Sequence, residues 1–159
     1  MQASLTGHLV LATLHTNDAV SATTRLVDMG VEPYLLSSSL LGVLAQRLVR
    51  KLCPACKAGY KPSGADLAEL GGRYAGEQLF GAGGCAECSG TGYSGRTGIY
   101  ELLAIDQEAK RLIHEGASEQ LLRAHVVGRG MRGLRQDSLR WVLTGATSLE
   151  EAVRVTRES

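Results

Sequence analysis

The sequence predicts an α/β fold that carries a cysteine-rich insertion and ends in a helical part, and three features point to it. A nearly continuous apolar run at the start is closed by helix-capping residues. The composition changes abruptly to glycine and cysteine in the middle of the chain. A series of capped amphipathic segments fills the remainder.

The apolar run is His8-Leu9-Val10-Leu11-Ala12-Thr13-Leu14-His15, whose length suits a buried strand of the parallel-sheet kind. Thr16, Asn17 and Asp18 then supply N-cap chemistry for a helix that Gly30 stops, with Val20, Leu26 and Val27 facing the strand. Pro33 opens a second helix, predicted from Tyr34 to about Leu52 through Leu35, Leu36, Leu40, Leu41, Val43, Leu44, Leu48 and Val49. Arg47, Arg50 and Lys51 would lie in its last turns, where cations suit the helix dipole. A short helix is expected near Ala65–Leu70, and a strand-like segment resumes at Thr97 and runs to Ile105. Helices follow over Gln107–His114 capped by Asp106, Glu119–Val127 capped by Ser118, and Leu134–Leu143 ending before Gly145. Thr147-Ser148-Leu149-Glu150-Glu151 has the pattern of a capping box for a last helix. Three parts result: residues 1–52, an inserted module at 53–95, and a strand plus helices at 96–159.

Composition narrows the function. A hydrophobic fraction of 44% and a charged fraction of 21% are those of a globular chain. A net charge of +1 gives no bulk attraction for nucleic acid, and 4% aromatic residues make a base-stacking platform improbable on composition. Only Lys57, Lys61, Arg73 and Arg96 fall on the cysteine module, too few for a basic patch. No segment approaches the roughly 20 apolar residues of a membrane span, and the first residues lack signal-peptide character. The expected compartment is the reducing cytoplasm, where paired cysteines hold metal more often than they form disulfides.

All four cysteines sit in two Cys-x-x-Cys pairs, Cys53/Cys56 and Cys85/Cys88. Two such turns can deliver four thiolates in a tetrahedron around one zinc ion, and a site closed by four sulfurs is structural, with no open position for substrate. Neighbouring glycines let backbone amides turn toward the sulfurs. A thioredoxin-like redox pair would instead need one Cys-x-x-Cys at a helix start after a strand. Cys85-Ala86-Glu87-Cys88-Ser89-Gly90-Thr91-Gly92 also fits the repeat of DnaJ-type chaperones. Cys53-Pro54-Ala55-Cys56-Lys57-Ala58-Gly59-Tyr60 lacks its paired glycines, so that reading covers one knuckle alone. His8 and His15 bracket the first predicted strand, at whose ends loops can turn them to one site. His114 and His125 lie on later helices without a surrounding motif and are read as structural or exposed.

Several long segments resemble one family in order. Gln2 to Asn17, with its Thr-Gly-His and Leu-His-Thr-Asn ends, resembles the His box of secretion ATPases of the type II/type IV pilus superfamily. Ala45-Gln46-Arg47-Leu48-Val49-Arg50-Lys51-Leu52-Cys53 and Gly95-Arg96-Thr97-Gly98-Ile99-Tyr100-Glu101-Leu102-Leu103 are similar to the same family. Ser37 to Leu44 and Thr147 to Glu151 look like its GspE branch. The pilus-assembly ATPases share the cysteine module, and the pilus-retraction branch lacks it.

The resemblance implies the C-terminal part of a RecA-like P-loop ATPase, hexameric in the parent protein, coupling ATP hydrolysis to pseudopilus assembly at inner-membrane platform proteins. It places the chain in the cytoplasm, peripheral to that membrane through partners. His8 and His15 match His-box residues that approach the γ-phosphate. Arg25 and Arg96 match arginines of nucleotide contact or subunit coupling, a role suited to bidentate phosphate binding. A zinc-dependent interaction module is the alternative from a different class. No Gly-x-x-x-x-Gly-Lys-Ser/Thr loop occurs, so ATP and magnesium would bind only in a longer parent, and this chain alone is expected to be inactive. Apolar faces that other sheet strands would cover are expected to be exposed.

Overall fold

The computed structural model describes residues 2–157. In chain order the elements are α1 (Gln2–Leu5), α2 (Ser21–Asp28), α3 (Pro33–Ser39), β1 (Gly42–Leu52), β2 (Ala58–Tyr60), α4 (Gly64–Glu69) and β3 (Leu79–Gly81). A 3₁₀ turn at Ala86–Cys88 precedes β4 (Tyr93–Ala104), α5 (Gln107–His114), α6 (Glu119–Gly128), α7 (Leu134–Leu143) and α8 (Leu149–Thr156). The chain is α/β. Strand β1 pairs with β4 and β2 with β3. The short ladder is antiparallel, with Ala58 opposite Gly81 and Tyr60 opposite Leu79. Backbone bonds at the two ends of the long pair, Cys53 N–H to Gly92 C=O and Ile105 N–H to Leu41 C=O, make it antiparallel too. The chain divides into two compact units, residues 1–45 with 101–133 and residues 46–100 with 134–159.

Two sequence-based expectations are corrected here. Residues 8–16 form no ladder; the segment has no regular secondary structure, with Leu9 76% and Leu11 89% exposed. A strand needs a partner for its backbone groups, and among the described residues none pairs with this one. The helix expected from Tyr34 to Leu52 stops at Ser39 and becomes strand β1. Ser37, Ser38 and Ser39 donate their hydroxyls to the carbonyls of Tyr34 and Leu35, a local competition that weakens a helix end. Beyond it Leu40 is extended, at φ −75° and ψ 123°. Strand β1 then alternates, with Val43, Ala45, Arg47 and Val49 on the more enclosed face. Leu44 and Leu48 stand on the exposed face, so apolar residues occupy both sides and hide the period of two.

In the first unit the core is Ala19, Val20, Leu36, Leu103, Ala109, Leu112, Ile113, Leu122 and Val126. Helix α3 lies on α5, and α5 on α6. The Asp18 carboxylate accepts the N–H groups of Val20 and Ser21 as α2 begins. Helix α2 ends with Gly30 at φ +88°, where Gly30 N–H bonds Val27 C=O and Val31 N–H bonds Leu26 C=O, the Schellman arrangement. Val20 is buried and Leu26 packs on the core, but Val27 is on the exposed side. Asp106 caps α5 and Ser118 caps α6, as their sequences predict.

The second unit has two clusters. Leu70, Leu79, Val142, Leu149 and Ala152 gather α4, β3, α7 and α8. Val49, Ile99 and Leu134 form the other, with Trp141 and Val155 against them. Ser63 and Asp66 make a reciprocal capping box on α4. Ser148 caps α8 by accepting the Glu151 N–H, but Glu151 does not return the bond as its sequence pattern implies. Its carboxylate is turned inward to Arg50 and Arg154.

Candidate metal centre

Strand β1 runs directly into the first knuckle. The Cys53 carbonyl accepts the N–H groups of Cys56 and Lys57, a tight turn that folds Cys56 back beside Cys53. The second knuckle is the 3₁₀ turn Ala86–Cys88, followed by Ser89 in the left-handed region at φ +53°. Gly90 N–H closes it on the Cys85 carbonyl.

Folding brings the four sulfurs together. Cys53 Sγ lies 3.9 Å from Cys85 Sγ, and Cys88 Sγ lies 3.8 Å from both Cys56 Sγ and Cys85 Sγ. All four lie within 4.8 Å of one another and none is in a disulfide. A tetrahedral zinc site with bonds near 2.3 Å has sulfur–sulfur edges of about 3.8 Å. The donor set and its spacing therefore fit a tetrahedral thiolate metal site. Among the described residues this is the one such group of cysteine, histidine or carboxylate side chains.

Backbone amides point at the sulfurs. Gly84 N–H donates to Cys56 Sγ at 3.2 Å, and Cys88 Sγ accepts Cys85 N–H at 3.2 Å and Gly92 N–H at 3.1 Å. The two glycines are required by geometry. Gly84 has φ +94° and Gly92 φ +75°; a Cβ on the first would meet the Gly90 carbonyl oxygen at 2.7 Å, and one on the second Ala82 Cβ at 2.6 Å. The Cys88 thiol is pulled down to about 6, chiefly by the Cys85 N–H and also by the Gly92 N–H. The Cys56 thiol is pushed up to about 12 by loss of water, despite the pull of the Gly84 amide. Amide donors favour the thiolate form, and metal binding requires deprotonated sulfurs, so it must displace the proton that the Cys56 thiol holds.

Three residues before the first knuckle, Arg50 joins an ionic cluster that sequence reading does not assemble. Arg50, Glu151 and Arg154 form an ion cluster in which the Glu151 side chain is fully buried, with contacts of 2.7 Å to each guanidinium. Burial alone would raise the Glu151 pKa, but Arg154 and Arg50 outweigh it and hold it at about 2. The Arg50 guanidinium stands 4.1 Å over the Tyr93 ring. The one available signal was the Glu151/Arg154 spacing on α8. In the first unit Asp18 pairs with Arg123, and the buried Glu101 accepts the Ala19 N–H. His125 bonds both Asp106 oxygens, so it is structural, while His114 is exposed.

The remaining sequence-derived candidates are not members of the cysteine cluster. His8 and His15 are exposed on the irregular segment 8–16, with His8 Nδ1 3.0 Å from Thr6 Oγ1. Arg25 is exposed on α2, in the same unit as the histidines. Arg96 is exposed on β4 and belongs to the second unit.

Comparison with known proteins places this geometry in a family. The family model described as type II/IV secretion system protein matches residues 1–154. The chain is 58% identical over 159 residues to the type II secretion system protein HxcR of Pseudomonas aeruginosa, covering 100% of this chain and 30% of that protein. It is 53% identical to the type II secretion system ATPase E of Vibrio cholerae, covering 100% and 32% of the two. The type IV pilus assembly ATPase PilB of Thermus thermophilus is 48% identical over 99% of this chain and 18% of its own length. The chain therefore spans a third or less of these relatives. A crystal structure of the pilus retraction motor PilT with bound ADP shares the fold, with a TM-score of 0.62, 23% identity, and coverage of 99% of this chain and 35% of that one. The chain belongs to the type II/IV secretion system protein family.

Proposed function

We propose that these residues are the C-terminal portion of a RecA-like secretion motor ATPase, hexameric when complete, that couples ATP hydrolysis to type II pseudopilus assembly. The observation that carries the reading is 58% identity along the whole chain to a type II secretion system protein. In this reading His8 and His15 approach the γ-phosphate, and Arg25 and Arg96 contact nucleotide or couple neighbouring subunits. The exposure of all four side chains leaves them open to such partners. The partners would be other copies of the motor and inner-membrane platform proteins, with the motor cytoplasmic and peripheral to the membrane. Among the described residues no helix is long and apolar enough to cross a membrane.

Residues 53–95 act as a zinc module with Cys53, Cys56, Cys85 and Cys88 as ligands. The near-tetrahedral sulfur spacing supports one structural zinc. The chain has no phosphate-binding loop, so alone it neither holds nor hydrolyses ATP. A pilus-assembly role is the second reading, supported by the 48% identity to PilB.

A chimera tests the proposal. These residues replace the matching segment of the Vibrio cholerae ATPase, and both ATP hydrolysis and secretion are measured. Both should persist, and His15→Ala should reduce hydrolysis at least tenfold without changing zinc content. A folded chimera that hydrolyses ATP equally well with His8→Ala and His15→Ala together refutes the nucleotide role. Metal analysis of the 159-residue chain should return about one zinc per chain, falling sharply in Cys85→Ser. Zinc content unchanged by that substitution refutes the centre.

A further inference from the structure

Three chain exits from the cysteine cluster end on one short stretch, the connection between α7 and α8. On the first, Leu52 N–H, adjacent to Cys53, donates to the Ala146 carbonyl at 2.9 Å. On the same strand, the Arg50 carbonyl accepts the Thr147 hydroxyl at 2.7 Å. On the second, Lys57, adjacent to Cys56, donates from Nζ to the Gly145 carbonyl at 3.0 Å while lying 4.8 Å over the Phe80 ring. Phe80 fills the space a side chain at Gly145 would need, since a Cβ there would meet the ring at 2.5 Å. On the third, Tyr93, next to the Gly92 amide that serves Cys88, shares a 2.7 Å hydrogen bond between its hydroxyl and Ser148 Oγ. Ser148 is itself the N-cap of α8.

From this convergence we infer that the cysteine cluster is a clamp on the α7–α8 corner, so that closing the cluster fixes the start of α8. The inference rests on the zinc reading above for what closes the cluster. Its physical basis is constraint. Four thiolates on one ion fix the positions of Leu52, Lys57 and Tyr93 relative to each other, and those three residues grip one corner from three directions. Once the knuckles are free to separate, each grip must be held alone, by the one or two hydrogen bonds it makes itself. Lys57 is exposed, and a single bond from an exposed lysine is weak. The buried Thr147 and Ser148 would then gain access to water, and the cap of α8 would loosen.

The test is hydrogen exchange, read by mass spectrometry, on the zinc-loaded 159-residue chain before and after chelation. Residues 144–152 should exchange at least tenfold faster after chelation, and residues 107–128 should be unchanged. Lys57→Met should speed exchange over 144–149 at full zinc content, which separates the clamp from the metal. Unchanged exchange over 144–152 when the knuckles themselves deprotect overturns the inference. So does equal loss of protection over 107–128, which signals general unfolding. If metal analysis finds no zinc in the starting chain, the reading of the centre fails. The clamp is then decided by Lys57→Met, and unchanged exchange over 144–149 in that variant refutes it.

Discussion

Glu151→Gln probes the ion cluster behind the first knuckle. The Glu151 side chain is fully buried, and its carboxylate accepts Arg50 and Arg154, besides the Arg50 N–H at 3.1 Å. The fall of its pKa from an ordinary 4.5 to about 2 corresponds to ~3 kcal/mol of preference for the ionised form in the folded chain. Glutamine keeps the shape and can still accept the Arg50 amide. Both guanidiniums are about half exposed, at 46% and 59%, and stay solvated when their counter-charge goes. The loss should therefore fall below the roughly 3–5 kcal/mol typical of a broken, fully buried pair. About 2–3 kcal/mol at pH 7 is expected. Because the folded pKa is depressed, this contribution is complete above about pH 4.5 and is lost as pH falls through about 2. Urea unfolding followed by the fluorescence of Trp141, the single tryptophan, reports on the same unit. Parent and variant should differ by about 2–3 kcal/mol at pH 7 and by less than about 1 kcal/mol at pH 2.5. A difference that is the same at both pH values, or below about 0.5 kcal/mol at pH 7, refutes the reasoning.

Gly92→Ala combines a left-handed backbone with a clash against Ala82, and relieving that clash shifts the amide that serves Cys88. It should cost about 1–3 kcal/mol and weaken zinc binding at least tenfold in a chelator competition, whereas Gly64→Ala, in open space, should do neither. Asp106→Ala removes the cap of α5 together with the partner of His125, and should cost about 1–2 kcal/mol in thermal unfolding. The Ala109 amide first, and His125 with it, hold the Asp106 carboxyl below the usual range, so its contribution is present at neutral pH and fades as the solution becomes acid. An Asp106→Ala variant as stable as the parent at pH 7 would exclude this role.

The cysteine centre was legible because its chemistry is local: two Cys-x-x-Cys turns flanked by glycines allow few other uses. The caps at Ser63, Asp106, Ser118 and Ser148 act within four residues, and all of the last three were readable for the same reason. Strand β1 was not. Its exposed Leu44 and Leu48 keep helical spacing with Leu40 and Leu41, and only its pairing with β4 decides between the two states. The irregular segment at 8–16 shows the reverse error, since apolar character alone does not make a strand without a partner. The inward turn of Glu151 depends on Arg50, 101 residues away, a relation no local pattern contains.

The division of the chain also bears on how the molecule can form. The backbone leaves the first unit after residue 45, returns at 101, and leaves again after 133. Each unit is thus assembled from separated stretches, and no single cut releases either one whole. The second unit's cluster needs Val142, Leu149 and Ala152 to meet Leu70 and Leu79. All four cysteines precede α8 in the chain, so the ligand set proposed for zinc is complete before the wall behind it has been synthesised. On the zinc reading, metal capture would then precede burial, with the cysteines organising a core that needs the chain's last helix to close.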